Sequence, residues 1–359
     1  MNKRRFHLSA LAGLAICGLL MSGCSATEDG QYELHYSTYS NSTSDQSLTM
    51  QRWAKRIGEL TDDKVAVEFH YSESLVGADE SVPALLDGRV DMAQVGSMYA
   101  ASDLSMYTAA ELPFETQNPE AHMKSLQRLF NDNATYREDF DRQGVRQLFP
   151  LPIGSAVMGS NEPINSIDDF SGKSIRSGGL ISEILVAGGA NPVTMTATDV
   201  YESMERGVVD GYTSLGMSNL PTFGLANNTK YIADPGIGAY ASSIVGINAE
   251  LYDSMPTEIQ DAISQASDEA LSMGIEELDS EGSLACKQAK EADTEFFEWK
   301  DSDVEEFKAR SNIADQWVAR YEERGYDAQS VLADYRSFLA EEDEASTYED
   351  ALTSCLEET

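Results

Sequence analysis

Ser171-Gly-Lys-Ser-Ile-Arg-Ser-Gly-Gly-Leu180, followed downstream by Asp199-Val-Tyr-Glu-Ser-Met-Glu-Arg-Gly-Val-Val-Asp-Gly211, sets the pattern for the chain. The first stretch reads as a polar turn, a short strand ending at Arg176, and two glycines leading into an apolar helix from Ile181. A strand near Pro192-Val-Thr194 and a helix from Asp199 come next. Gly207 then closes that helix in a left-handed cap, and Val209-Asp210 feeds a further strand.

The same order recurs upstream. Tyr32 to Thr38 reads as a strand running into the polar turn Asn41-Ser-Thr-Ser-Asp45, and Met50, Trp53, Ile57 and Leu60 fall on one face of a helix. Lys64 to His70 alternates like a strand. A short helix through Leu85-Leu86, a turn at Gly88-Arg-Val-Asp91 and a strand from Val90 to Val95 complete the unit. Strands alternating with helices imply an α/β fold, and two such units predict two similar domains with a cleft between them. Ligands of such sheets bind beyond the carboxyl ends of the strands. Ile244-Val-Gly-Ile247 reads as a strand returning to the first domain. Pro256 to Gly282 reads as a long amphipathic helix that buries Ile259, Ile263, Ala266 and Ala270. The remainder, through Phe296-Phe297-Glu-Trp299, Phe307, Trp317 and Tyr321, is expected to be mostly helical, and the acidic tail carries no chemical motif.

The amino terminus reads as an export signal. Lys3, Arg4 and Arg5 form a basic region, and the apolar run from Leu8 to Met21 is shorter than the ~20 residues that span a bilayer. Met21-Ser-Gly-Cys24 has small residues just before a cysteine, as in a lipobox. Residues 1–23 are then a signal peptide, Cys24 carries the lipid, and 24–31 form a short linker. An ordinary secretory signal with a chance cysteine is the alternative. Cys286 and Cys355 remain as an even pair in an oxidising compartment, and a disulfide between them is expected.

The formal charge is −36, from 61 acidic against 25 basic residues. Nucleic acid is therefore excluded as a natural partner, since phosphate binding needs clustered Lys and Arg. Such a field also repels anionic ligands, so an anion site must be locally positive. The four histidines (His7, His35, His70, His122) form no close pair in the sequence, and no zinc site is expected. Gly172-Lys-Ser174 lacks the upstream glycine of a phosphate-binding loop, because Ile167 stands there. Arg176-Ser-Gly-Gly179 lacks dinucleotide spacing, and no G-x-S-x-G elbow occurs. No cofactor and no enzymatic activity are expected.

Four stretches together carry a resemblance: Leu85-Leu-Asp-Gly-Arg-Val-Asp-Met92, Leu112-Pro-Phe114, Ile164-Asn-Ser-Ile-Asp-Asp-Phe-Ser-Gly-Lys-Ser-Ile-Arg176, and Asp199 to Gly211. In order and spacing they are similar to the DctP-type extracytoplasmic solute receptors of TRAP (tripartite ATP-independent periplasmic) transporters, over the mature chain up to about residue 310. The resemblance implies a periplasmic-binding-protein-like clamshell of two α/β domains, with a hinge and a long domain-spanning helix. The corresponding domains are 32–152 plus 240–282, and 153–239 plus 283–359 with a helical C-terminal segment. It further implies an extracytoplasmic protein that takes an organic acid and hands it to an ion-driven membrane permease; the lipobox adds a lipid anchor, and a monomer is the simplest expectation. A solute-binding protein of an ATP-driven transporter, a surface lipoprotein hydrolase and a sensor lobe are the alternatives.

In the family the arginine matching Arg176 pairs with the ligand carboxylate, a role suited to a planar, permanently charged, bidentate donor. The resemblance carries over less strictly to Tyr39, Asp79, Ser214 and Tyr212, and to Gly96, Met98 and Tyr99 at the end of a first-domain strand. Two departures stand out. Ala156 and Met158 occupy the region where some relatives have a second arginine, and Thr196-Ala-Thr198 stands where relatives often have an aromatic. Both imply a roomier, less positive pocket, suited to a monocarboxylate or a bulkier acid.

Overall fold

A computed structural model describes residues 31–357. The expected export signal and the expected lipidation at Cys24 lie outside the described residues. The strands are β1 (Tyr32–Ser37), β2 (Val65–His70), β3 (Met92–Gly96), β4 (Val145–Leu151), β5 (Met158–Ser160), β6 (Ser174–Ser177), β7 (Asn191–Thr194), β8 (Gly211–Tyr212), β9 (Tyr231–Asp234), β10 (Ser243–Asn248) and β11 (Glu295–Glu298). They form two sheets, in the orders β2-β1-β3-β10-β4 and β11-β9-β5-β8-β6-β7. Each sheet anchors one lobe.

The two sequence units fold alike. In each, the first strand lies in the middle, with the second on one side and the third on the other: β2-β1-β3 in one lobe, β7-β6-β8 in the other, all parallel. Gly88 (φ 74°) and Gly207 (φ 66°) turn the chain out of the helix before the third strand in each unit. That left-handed conformation costs a Cβ-bearing residue energy and costs glycine none. The later strands are what make the sheets mixed. β10 returns antiparallel between β3 and β4, and β5 runs antiparallel between β8 and β9.

The helix Asp45–Leu60 begins where the Ser44 side chain accepts from the Ser47 N–H, and it buries Met50, Trp53 and Ile57. Its partner is the 35-residue helix Thr257–Glu291, which at 1.5 Å per residue is about 52 Å long. Ile259, Ile263 and Ala266 share a core with Trp53 and Val245 in the first lobe. Farther along, Ala285 and Ala289 enter the core of the second lobe beside Val209 and Ile232. The long helix thus spans both lobes and runs past the expected end at Gly282. Near its far end Cys286 is bonded to Cys355, with S–S 2.05 Å and Cα–Cα 5.7 Å.

Two expectations are corrected. The stretch Phe296-Phe297-Glu298 is not helical; it forms β11, parallel to β9, because Phe296 and Phe297 pack against two different cores at a sheet edge left open in the second lobe. The C-terminal segment also straddles the lobes rather than staying with the second. Helix Ala328–Ala345 lies along Pro119–Asp132 of the first lobe, tied by Arg128 to Glu341 (2.8 Å) and Glu342 (3.0 Å).

Candidate functional site

A small cavity opens between the lobes, and its walls come from the carboxyl ends of the central strands. From the first lobe, the segment after β1 supplies Tyr39, Ser40, Asp45 and Gln46, and the segment after β3 supplies Met98 and Tyr99. From the second come Arg176 at the end of β6, Ala197, Ser214 and Leu215 beyond β7 and β8, and Phe223; Ile153 sits in the crossing segment. This placement follows from the repeated topology, which aims both switch points at one space.

Arg176 is 1% exposed. Its Nη1 donates to the Thr213 carbonyl (2.9 Å), and its Nη2 to the Met195 carbonyl (3.2 Å). Nε has no hydrogen-bond partner, and no described carboxylate forms an ion pair with the guanidinium. Burial pulls its pKa below the ordinary arginine value, while neighbouring Tyr99 and Tyr240 act in the opposite sense. Carbonyl dipoles orient the cation but do not neutralise it, and a buried charge without a counter-charge is expensive. The arrangement is that of a fixed cationic wall prepared for an anion.

Tyr39 and Tyr99 meet edge to face, with ring centroids 5.2 Å apart, and the Tyr39 hydroxyl shares a hydrogen bond of 2.5 Å with Ser243 Oγ. Gly96 makes that pair possible: a Cβ there would stand 2.9 Å from the Tyr99 ring and 3.0 Å from the Tyr39 hydroxyl. Gly96 therefore shapes the wall without lining it. Ser214 adopts φ 63°, and its Oγ accepts from the Gly178 N–H at 3.4 Å.

Two expected residues lie elsewhere. Asp79 is exposed on the short 3-10 turn Ala78–Glu80 and does not line the cavity. The Tyr212 side chain is buried in the second-lobe core, its hydroxyl bonded to Thr229 (2.8 Å) and its ring packed over Gly159. Tyr212 is paired with Arg176 in register, but its ring turns into the core, and this strand reaches the cavity only past its end, at Ser214 and Leu215.

Asp45 carries little signal in the sequence. This carboxyl is 2% exposed and lines the same cavity as Arg176. One oxygen accepts from the Ser218 hydroxyl across the cleft (2.8 Å), the other from the Gln46 N–H (2.8 Å). Burial pushes its pKa up to about 6, against those two hydrogen bonds. Asn41 Nδ2 also crosses the cleft, to the Thr222 carbonyl at 3.3 Å. In the sequence Asp45 is one of several polar turn residues at a helix start, and only its position opposite Ser218 sets it apart. Phe223 and Ile153 had no sequence signal.

Below the cavity, Glu111 of the first lobe accepts from the Leu180 N–H at 3.1 Å, and Tyr240 donates to the Gly178 carbonyl at 2.8 Å. These bonds fasten the glycine pair after Arg176 to the first lobe.

Residues 36–321 match the family described as DctP, bacterial extracellular solute-binding protein, family 7. The chain belongs to this family. Two curated members are similar to it. The ectoine-binding periplasmic protein TeaA of Halomonas elongata is 24% identical, over 66% of this chain and 70% of TeaA. The C4-dicarboxylate-binding periplasmic protein DctP of Rhodobacter capsulatus is 26% identical, over 67% and 72%. Among solved structures, a TRAP solute binding protein of an unidentified marine microbe, specific for aromatic acid ligands and complexed with metahydroxyphenylacetate, superposes with a TM-score of 0.79. It is 21% identical, with 86% of this chain and 98% of that one covered. The chain is thus a DctP-family extracellular solute-binding protein, with the two-domain clamshell fold of the TRAP solute binding protein it superposes on. The family is one of extracytoplasmic transport receptors and not of enzymes. Among the described residues no helix is long and apolar enough to cross a membrane.

Proposed function

We propose that this protein captures an organic monocarboxylate with an apolar or aromatic body in the interlobe cleft. The observation that carries the proposal is Arg176: buried, held by carbonyls, and without a protein counter-ion. The ligand carboxylate meets its free donors, while Tyr39, Tyr99, Met98, Ile153 and Phe223 pack the remainder. Asp45 supports one carboxylate over two, since a second ligand anion would face a buried acid. The aromatic acid specificity of the structurally similar marine protein and the dicarboxylate specificity of DctP bracket the choice. Closure of the lobes excludes water and strengthens the ion pair. The loaded receptor, tethered to the membrane through lipid on Cys24, then passes its ligand to a TRAP permease.

A thermal-shift screen of the Ser25–Thr359 fragment against organic acids tests this reading. A ligand at a hundred times its dissociation constant should stabilise the fold by about 2.7 kcal/mol. Benzoate-like and other monocarboxylates should shift the melting temperature more than succinate, and the shift should vanish in Arg176→Ala. A clear preference for succinate would overturn the monocarboxylate assignment, and acid binding that survives in Arg176→Ala would overturn the role of Arg176.

A further inference from the structure

Away from the cleft, the ladder between β1 and β2 assembles a second constellation. His35 stands opposite Glu68 and Ser37 opposite His70. Leu34 and Tyr36 enter the core, so alternation turns His35 to the other face, which it shares with Glu68 and His70 two residues apart on the neighbouring strand. His35 Nδ1 lies 3.2 Å from His70 Nε2 and 3.4 Å from Glu68 Oε2, and His70 Nε2 lies 3.8 Å from Glu68 Oε1. The absence of a close histidine pair in the sequence is thus undone by folding, because a parallel ladder joins residues 35 apart in the chain.

We propose that His35, Glu68 and His70 form a binding site for a divalent transition-metal ion of the zinc class. Two donors each about 2.0–2.1 Å from a tetrahedral ion stand about 3.3–3.4 Å apart. Two of the separations match edges of that tetrahedron, 3.2 Å between the imidazoles and 3.4 Å from His35 to Glu68 Oε2, and one ligand atom from each of the three residues lies within 4.8 Å of the others. Two imidazoles with one carboxylate favour zinc, nickel or copper over the hard ions magnesium and calcium. The three side chains are 22–49% exposed, so an ion can enter from solvent and a fourth position stays open to water. The backbone at His35 is clamped, its N–H donating to Asp91 (2.9 Å) and its carbonyl accepting from the Asp91 N–H (3.1 Å). The highly acidic surface raises the local concentration of divalent cations around the site.

The test is a calorimetric titration of the chelator-treated Ser25–Thr359 fragment with Zn²⁺ at 0.15 M salt, repeated with Co²⁺ to read the visible absorption of a tetrahedral centre. Wild type should bind one Zn²⁺ equivalent tightly, and excess Mg²⁺ or Ca²⁺ should not displace it. His35→Gln and His70→Gln should each weaken binding by roughly 10- to 100-fold or more, at least as much as loss of a supporting residue around a metal site. Their metal-free melting temperatures report that folding is intact, and His70→Ala on the edge strand serves if His35→Gln unfolds. Equal binding by wild type and the double variant would assign the ion to scattered surface acids and overturn the site. Absence of stoichiometric binding in wild type would reduce the histidine pair to a hydrogen bond between rings and likewise overturn it.

Discussion

Two arginines flank the short helix Leu180–Ala187 on opposite terms. Arg320 meets Glu183 through two parallel hydrogen bonds of 2.8 and 2.6 Å, with side chains 39% and 37% exposed. Arg176, four residues before the helix, is buried and has no acid. The exposed pair is well formed but sits in water, where such bridges contribute about 0–1 kcal/mol. The buried cation carries a desolvation cost that nothing in the protein fully offsets. Glu111, equally buried, mirrors it: one carboxylate oxygen has no partner, and burial pushes its pKa up to about 7. A paired surface charge is about solubility and local order; an unpaired buried one marks where the molecule is unfinished without a ligand or a proton.

The largest effect expected from this contrast is at Arg176. Arg176→Met keeps volume and removes charge, so ligand affinity should fall by about 3–5 kcal/mol, a few hundredfold or more. The ligand-free melting temperature should stay level or rise. Calorimetric binding together with thermal unfolding checks both; a strongly destabilised apo-protein that still bound acids would make Arg176 structural instead.

Glu111→Gln sharpens the comparison by pH. The folded-state pKa is raised, so between the ordinary value of 4.5 and about 7 the native state binds more protons than the unfolded chain. The ionised group then subtracts stability progressively as pH rises through that window. Buried His122, lowered to about 4, works in the opposite sense as pH falls through 6.5 and partly masks this in the wild type. The difference between Glu111→Gln and wild type cancels the histidine. It should be near zero at pH 4.5, grow to a few degrees of melting temperature by about pH 7, and stay level above. A difference independent of pH would show that Glu111 is not the titrating group.

Asp45→Asn should act on selectivity. A like charge across the cleft costs a second carboxylate about 1–2 kcal/mol at an effective dielectric constant near 20. Removing it should improve succinate relative to a monocarboxylate by roughly tenfold in a competition titration. An unchanged ratio would remove Asp45 from the selectivity argument. Smallest of all, Arg320→Ala should cost no more than about 1 kcal/mol of stability and leave ligand binding unaltered. A loss of binding there would mean that the helix after Arg176 is positioned by its exposed pair.

Periodicity and punctuation settled much of this fold in advance. The stripe Met50, Trp53, Ile57, the alternation from Val65 to His70, and the glycines at 88 and 207 are local signals, and local geometry obeyed them. The segment Phe296–Glu298 was not legible, because a strand of four residues is defined by the open edge of β9 and not by its own preference. In the cleft, Arg176, Tyr39, Met98, Tyr99 and Ser214 follow strands whose ends could be read. Asp79 was misplaced because an acid before a short helix is as consistent with an exposed turn as with a wall of the cavity.

The sequence by itself determined the two repeated α/β units, the cation at a strand end, the cysteine pair available for bonding and the acidic field any anion must overcome. Each of these depends on residue type and near-neighbour spacing. Only the tertiary structure decided that Asp45 faces the same cavity as Arg176, that Tyr212 belongs to the core, that the last long helix crosses back to the first lobe, and that His35, Glu68 and His70 converge. Those are long-range juxtapositions, set by sheet register and helix packing, and no local pattern of residues encodes them.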